Sequence, residues 1–324
     1  MIFARLAEVT RGDWEESWHD GWAVLVDAEG RVLEAHGEPG TVFVRSALKP
    51  FQAIPLVKSG AAARLGLSVA ELAIACSSHS ATPEQVALAR SILDKAGVSP
   101  DMLRCGAHPP LHEPTAEAML CRGEAPTALH NNCSGKHAAM LAMCKDQGWD
   151  LETYDRLDHP LQVAIRHAIA DLTGLAPESL TAGIDGCGVP AWRLPLTSLA
   201  IAFSRLVRDP ALVPIAEAMA THPGLVAGPG RFDTLLMEAV GDRLVAKAGA
   251  EAIHAGADRT TGLAWAVKIA DGNRRAIPPV VVAMLAKRGV LDATAEAIAP
   301  LALVAVKNRR GETVGSIRAA IPAR

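Results

Sequence analysis

Aromatic residues are scarce in this chain of 324 residues, which holds one tyrosine, five phenylalanines and six tryptophans, 4% in all. So few rings argue against a site that binds a large ligand by stacking. An excess of one charge is also lacking, since the formal net charge is −3 and no basic block or acidic tail occurs. This balance argues against a nucleic-acid partner. A small molecule or a second copy of the chain remains as the expected partner.

Long apolar runs are lacking as well, and we do not expect the first residues to act as a secretory leader. Residues 1–16 contain four carboxylates and no apolar core, and the run at residues 278–286 is far shorter than the roughly 20 residues of a membrane-spanning helix. The six cysteines include no CxxC pair, which favours core thiols, metal ligands or reactive groups in a reducing compartment over a disulfide framework. We therefore expect a cytoplasmic protein with no membrane partner.

Both ends of the chain predict β-structure. Residues 22–26 and 32–35 are short apolar runs around an Asp-Ala-Glu-Gly turn, and residues 301–306 and 314–319 flank Asn-Arg-Arg-Gly in the same way. Such pairs predict hairpins. Two further strands are expected at residues 244–248 and 263–270.

The middle of the chain predicts helices. Thr82 provides an N-cap, Pro83 stands at the first helical position and Gln85 completes a capping box, while Gly97 ends the helix. Apolar residues at helical spacing also predict helices at residues 158–174 and 275–288. Strands from both termini with helices between them indicate an α+β fold: one antiparallel sheet plus a helical lobe at roughly residues 80–240. With no repeat or linker, residues 1–324 are predicted to form a single domain.

The first candidate for chemistry is the segment Ser46-Ala47-Leu48-Lys49. Pro50 is tolerated only in the first turn of a helix, which places the predicted helix start at about Ser46. A serine there lies among free backbone donors, and Lys49 lies on the same helical face within reach of its hydroxyl. A buried lysine loses its proton readily and can act as a base. A Ser-x-x-Lys match alone is weak, so a purely structural role stays open.

Three other segments concentrate polar groups. Ser77-Ser78-His79-Ser80 follows an apolar run and fits an active-site loop or a simple capping loop. Residues 130–137, His-Asn-Asn-Cys-Ser-Gly-Lys-His, precede an apolar helix at residues 138–144, and a Gly-rich turn carries Asp185 and Cys187. Cys133 and Cys187 are candidates for a zinc site or for ordinary buried thiols. Lys247, at the end of a predicted strand, is a substrate-contacting or an ordinary edge lysine.

Taken together, these segments resemble the thermolabile L-asparaginases of the Rhizobium etli type, the asparaginase II family. The segments that carry the resemblance occur in family order over nearly the whole chain: Arg45-Ser46-Ala47-Leu48-Lys49-Pro50, Ser77-Ser78-His79-Ser80, Asn131-Asn132-Cys133-Ser134-Gly135-Lys136-His137, Asp185-Gly186-Cys187-Gly188 and Lys247-Ala248-Gly249-Ala250-Glu251. The Asn-Asn-Cys-Ser-Gly-Lys-His block is the most specific of them.

The resemblance implies a fold like that of serine β-lactamases and glutaminases and a hydrolase of L-asparagine. It implies two catalytic Ser–Lys pairs, Ser46 with Lys49 and Ser78 with Lys247. It also implies about one zinc ion per chain near the catalytic serine, with ligands that map to Cys133, Lys136 and Cys187. We further expect a homodimer.

Two positions depart from the family pattern. Ala81 follows Ser80, and Ala252 follows Glu251, where the family leads us to expect glycine. Both alanines are small and adjoin candidate site segments, so the departures bear on local loop shape rather than on chemistry.

The expected reaction is attack of Ser46 on the side-chain amide of L-asparagine, with neutral Lys49 as base and Ser78 and Lys247 passing a proton to the leaving ammonia. Asp185 is the candidate acceptor for the substrate α-amino group. Candidate donors to its α-carboxylate are Arg45, Asn131, Asn132 and His137. The alternatives are a glutaminase or a β-lactam-type amide hydrolase of the same fold, and a catalytically silent zinc-binding protein.

Overall fold

A computed structural model of the chain describes residues 2–321. Its strands are β1 Ala4–Arg11, β2 Trp14–Val26, β3 Val32–His36, β4 Thr41–Phe43, β5 Thr181–Ile184, β6 Pro190–Pro195, β7 Leu244–Gly249, β8 Ile253–Asp258, β9 Ala264–Ile269, β10 Leu303–Lys307 and β11 Thr313–Ala319. Its α-helices are α1 Lys49–Gln52, α2 Ile54–Lys58, α3 Ala61–Arg64, α4 Val69–Ala75, α5 Pro83–Ala96, α6 Glu113–Cys121, α7 Ser134–Gln147, α8 Pro160–Thr173, α9 Leu196–Arg208, α10 Val213–Thr221, α11 Pro223–Val226, α12 Phe232–Ala239, α13 Ile277–Lys287 and α14 Ala299–Ala302. Within residues 2–321, no helix is long and apolar enough to cross a membrane.

The described residues divide into two compact units. The first contains the chain up to Ala47, Leu194–Ser204 and everything from Leu235 onward, and it holds the large sheet. The second contains Leu48–Arg193 and Arg205–Thr234 and is mostly helical. The predicted single domain spanning residues 1–324 stays a prediction.

The sheet of the first unit has eight strands in the order β10-β11-β1-β2-β9-β8-β7, with β3 also paired to β2. All its pairings are antiparallel. Strand β1 lies beside β11, where Ala7 is opposite Ala319, so the first and the last strand of the chain are neighbours in the sheet. The predicted α+β class, with an antiparallel sheet built from both termini, is confirmed.

Both predicted hairpins are present, as β2 with β3 and β10 with β11. Strand β1, the first half of β2 and strand β8 were not expected from the sequence. The first half of β2 reads Trp-Glu-Glu-Ser-Trp-His-Asp and is mostly exposed, so it shows no apolar alternation. Pairing with β1 holds it extended nonetheless, because backbone hydrogen bonds do not depend on side-chain polarity.

Helix α5 begins as its capping signals predict. The Thr82 hydroxyl accepts from the Gln85 N–H at 3.3 Å, and the Gln85 carboxamide accepts from the Thr82 N–H at 3.1 Å. Gly97 then ends the helix in the left-handed conformation, with φ 64°. The helices predicted at residues 158–174 and 275–288 are present as α8 and α13.

The helix predicted to start at about Ser46 is shorter and less regular than expected. Arg45–Leu48 forms a 3₁₀ turn, after which the chain makes two separate turns of α-helix, α1 and α2. Pro50 and Pro55 each remove a backbone donor, which explains why one continuous helix does not form. Lys49 is therefore the first residue of α1 rather than part of a helix that begins at the serine.

Candidate active site

Ser46 lies in a tight turn of the first unit. The Ala47 N–H donates to the Val44 carbonyl at 3.1 Å and closes the 3₁₀ turn. Arg45, just before the serine, has φ 45°, in the left-handed region that residues other than glycine seldom adopt. Ser46 itself is only partly buried. The turn thus presents a partly exposed hydroxyl from a strained backbone, as is common at functional positions.

Lys247 belongs to the same unit and is completely buried on β7. Its Nζ donates to the Ala248 carbonyl at 2.9 Å. At the end of this strand, a Cβ on Gly249 would lie 3.0 Å from the Val44 carbonyl oxygen and 3.2 Å from the Ala47 nitrogen. The missing side chain therefore lets β7 pass close to the turn that carries Ser46.

Lys49 is buried in the second unit, with 1% of its surface exposed. Its Nζ donates to the Ser77 carbonyl at 2.5 Å and to the Asn132 carbonyl at 3.2 Å. Burial lowers the pKa of Lys49, although the sulfurs of Cys133 and Cys187 oppose the effect. A lysine in this setting gives up its proton more easily than one in water.

The loop after α4 carries Ser78 and His79. Ser78 is nearly buried; its N–H donates to the Val226 carbonyl at 2.9 Å, and its carbonyl accepts from Arg231 at 2.7 Å. The Ala81 N–H donates to Nδ1 of His79, so the Nε2–H of that ring donates to the Ser134 hydroxyl at 2.9 Å. Burial lowers the pKa of His79 to about 3, which keeps the ring neutral.

Residues 131–137 pack against this loop because Gly135 allows it. A Cβ on Gly135 would lie 2.3 Å from the carbonyl oxygen of Ile74, so only glycine lets α7 begin so close to α4. The Asn131 side chain holds the loop, donating to the Cys105 carbonyl at 2.8 Å and accepting from the Cys133 N–H at 2.8 Å. Asn132 accepts from Lys49 through its carbonyl, while its own N–H donates to His108 at 3.0 Å.

Cys133, Lys136 and Cys187 form one buried cluster of two thiols and an amine. Nζ of Lys136 lies 2.9 Å from Sγ of Cys187. A hydrogen bond from the Cys187 thiol lowers the pKa of Cys133. Burial opposes this shift, and the charges of Lys49 and Lys136 add to it. The same hydrogen bond raises the pKa of Cys187. Burial alone would lower the pKa of Lys136, but the two sulfurs outweigh it and raise that pKa.

This donor set fits the zinc site that the resemblance implies. Thiolates and a nitrogen donor are ligands that zinc accepts, and a set of three leaves a fourth position open. In residues 2–321, no group of three or more His, Cys, Asp or Glu side chains is placed to hold a metal ion. Lys136 would therefore have to be the third protein ligand, as a neutral amine.

Asp185 lies in the turn that carries Cys187. Its carboxylate accepts from the Gly186 N–H at 2.7 Å, and its carbonyl accepts from the Gly188 N–H at 2.9 Å. Gly188 has φ 91°, which explains a glycine at this position. Asp185 is partly exposed, so its carboxylate can be reached by solvent.

The second unit thus brings together most of the predicted site residues, namely Lys49, Ser78, Asn131, Asn132, Cys133, Lys136, His137, Asp185 and Cys187. Arg45, Ser46 and Lys247 belong to the first unit. Sequence reasoning missed Arg231, which holds the Ser78 carbonyl, and His108, which holds the Asn132 N–H. Arg231 follows Gly-Pro-Gly, which signals only a turn, so no local pattern could have identified it.

The profile of the L-asparaginase II family matches residues 7–319. The chain belongs to this family. Membership supports an amidohydrolase and agrees with the expected resemblance.

The curated proteins include no match. Among solved structures, the chain is similar to a β-lactamase from Mycobacterium bovis, with a TM-score of 0.43 and 15% identity over 82% of this chain and 94% of the other. It is also similar to a candidate β-lactamase from Bacteroides dorei DSM 17855, with a TM-score of 0.41 and 13% identity over 81% of this chain and 92% of the other.

Proposed function

We propose that this L-asparaginase II family member hydrolyses L-asparagine to L-aspartate and ammonia, with Ser46 as nucleophile and Lys49 as base. The observation that carries the proposal is the environment of Lys49. Its Nζ is buried among two carbonyl oxygens and the Cys133 sulfur, with no carboxylate among these contacts. Such an amine is poised to lose its proton, and the chain itself joins it to Ser46 three residues earlier.

In the first half of the reaction, the Ser46 hydroxyl attacks the side-chain amide carbon of asparagine and neutral Lys49 takes its proton. Ser78 and Lys247 pass a proton to the leaving nitrogen, which departs as ammonia. In the second half, water attacks the aspartyl ester and gives its proton to the Ser78–Lys247 pair, while Lys49 returns its proton to the Ser46 oxygen as the ester bond breaks. The complete burial of Lys247 and the near-complete burial of Ser78 support this role, because groups that transfer protons need an environment shielded from bulk water.

We assign residues to the charged groups of the substrate by complementary charge. Asp185, partly exposed in its turn, accepts the α-amino group of asparagine. Arg45 and the donors of residues 131–137 receive the α-carboxylate. Within that block, the Asn131 side chain already donates to the Cys105 carbonyl and accepts from the Cys133 N–H. Asn132 and His137 are therefore the better candidates for donating to the substrate.

We also propose that Cys133, Lys136 and Cys187 bind about one zinc ion per chain. The ion would supply a positive charge that stabilises both thiolates and orders the loop of residues 131–137. Ser46 and Lys49 already provide a nucleophile and a base, so activation of water is not its role.

Elemental analysis with kinetics of Cys133→Ala and Cys187→Ala tests the metal proposal. Each variant is expected to lose zinc and to weaken asparagine binding more than it slows the chemical step. Cys144→Ala is the matched control, because Cys144 is a buried cysteine on the same helix outside the cluster. Zinc retained in either variant would remove that cysteine from the site, and zinc lost with unchanged kinetics would make the ion purely structural.

An ammonia-release assay with asparagine and glutamine, combined with a chromogenic β-lactam, tests the reaction itself. Asparagine is expected to be the preferred substrate. Preference for glutamine or the β-lactam would select another serine amide hydrolase of the same fold, and no turnover of any of the three would select a catalytically silent zinc-binding protein.

Location and assembly are part of the proposal. Among residues 2–321 all six cysteines are free, including the exposed Cys121, which fits a reducing cytoplasm. The expected homodimer is tested by the mass in solution from light scattering.

A further inference from the structure

His137 has a ring nitrogen for which the described part of the chain supplies no hydrogen-bond partner. The residue is completely buried in the first turn of α7, and its Nδ1 lies 2.7 Å from the hydroxyl of Tyr154. Its Nε2 has no hydrogen-bond partner within residues 2–321. An unpaired polar atom in a buried ring is costly, so it calls for an explanation.

The hydrogen bonds of Tyr154 decide which ring nitrogen carries the proton. The Arg104 N–H donates to the Tyr154 oxygen at 2.9 Å. If the tyrosine hydroxyl in turn donates to Nδ1, the neutral ring carries its proton on Nε2, and only that N–H is unpaired. If Nδ1–H donated instead, the tyrosine proton and the Nε2 lone pair would both be left unpaired. The first arrangement leaves one buried polar group without a hydrogen bond, whereas the second leaves two, so the first is favoured.

The position of His137 indicates what the spare N–H serves. The residue follows Lys136 directly and lies one helical turn after Cys133, on the same side of α7. The Arg104–Cys105 segment that holds Tyr154 also holds Asn131, through the Cys105 carbonyl at 2.8 Å. One short segment thus orients two side chains of the block that we assign to the substrate carboxylate.

We propose that Tyr154, the only tyrosine of the chain, is a positioning residue that holds His137 as the Nε2–H tautomer, so that this N–H donates to a carboxylate of the substrate. This inference rests on the proposed function. A substrate carboxylate would give the buried N–H the acceptor that the described residues do not supply.

Tyr154→Phe tests the proposal, because it keeps the ring that meets His137 edge-on at 5.6 Å and removes only the hydroxyl. The KM for asparagine is expected to rise about fivefold while kcat changes less than twofold and zinc content stays constant. Nitrogen-15 NMR of histidine-labelled protein is expected to show His137 protonated at Nε2, with the signal assigned by its loss in His137→Gln. Added L-aspartate should shift that N–H.

Three results would overturn the proposal: protonation of His137 at Nδ1 in the unmodified protein, an unchanged KM in Tyr154→Phe, or an Nε2–H that L-aspartate leaves unshifted. The tautomer is read without substrate, so it is independent of the reaction. If asparagine were not hydrolysed but His137 were protonated at Nε2, the proposed function would fail while the role of Tyr154 in fixing the tautomer would stand.

Discussion

Replacing Ala252 by glycine is expected to leave the free energy of unfolding almost unchanged, although the change removes a buried methyl group. Ala252 is completely buried and has φ 51°, and its neighbour Glu251 has φ 61°. These two residues lie in the turn that connects β7 to β8. Their left-handed backbone conformation is one for which hairpin turns favour glycine or asparagine. The family pattern expects glycine at 252, and the backbone shows why.

Three contributions set the magnitude. Losing a buried methyl costs about 0.8 kcal/mol, and the freedom that glycine adds to the unfolded chain costs about 0.5–1 kcal/mol. Glycine also removes the strain of a left-handed alanine, which stabilises the folded state by about 1–2 kcal/mol. The sum lies within roughly 1 kcal/mol of zero.

Ala255→Gly is the matched control, since Ala255 is equally buried on β8 of the same hairpin, outside the left-handed positions. Ala255→Gly loses a buried methyl and adds freedom to the unfolded chain, but it relieves no backbone strain. It should therefore lower the free energy of unfolding by about 1.5 kcal/mol. Urea unfolding with equal m-values compares the two variants. If Ala252→Gly and Ala255→Gly lowered the free energy of unfolding equally, the backbone at Ala252 would not be strained. The same reasoning holds for Ala81, at φ 59°.

Two further predictions concern pH. The lowered pKa of Lys49 should make the rate rise with pH on the alkaline side of neutrality, and Lys49→Arg should be inactive because guanidinium keeps its proton; a flat rate from about pH 6 to 9 would count against the base. His79, with its pKa of about 3 in the fold against about 6.5 in the unfolded chain, is neutral when folded, so its stabilisation is complete above pH 6.5 and lost as pH falls. Between pH 7 and 5 the loss is about 2 kcal/mol, and denaturant titrations should show it reduced in His79→Gln.

The sequence predicted the parts of this protein whose signals are local. The capping box at Thr82 and the glycine stop at Gly97 located α5, and the apolar runs at both ends located the outer hairpins. Strand β8 was missed because the turn before it, Ala250-Glu251-Ala252, contains none of the glycine, asparagine or proline residues that signal a hairpin.

The candidate site was predictable only where its residues lie in compact motifs. Cys133, Lys136 and His137 could be identified together because one turn of helix carries them. Tyr154 and Arg231 reach the same loops from distant segments, through a hydroxyl and a guanidinium placed by tertiary packing. Nothing within a few residues of either one indicates that contact.

The central claim is that Ser46 is the nucleophile, and ammonia release from L-asparagine by Ser46→Ala tests it most directly. One partly exposed hydroxyl contributes little to stability, so the variant should keep its circular dichroism spectrum and melting temperature. Ser59→Ala is the control, since within residues 2–321 that hydroxyl hydrogen-bonds to the Leu56 carbonyl, the Met143 sulfur and the Ala61 N–H and to no proposed site residue, so the variant should keep the full rate. We expect no measurable turnover for Ser46→Ala, and a folded variant that retains even about a tenth of the original rate would contradict Ser46 as the nucleophile.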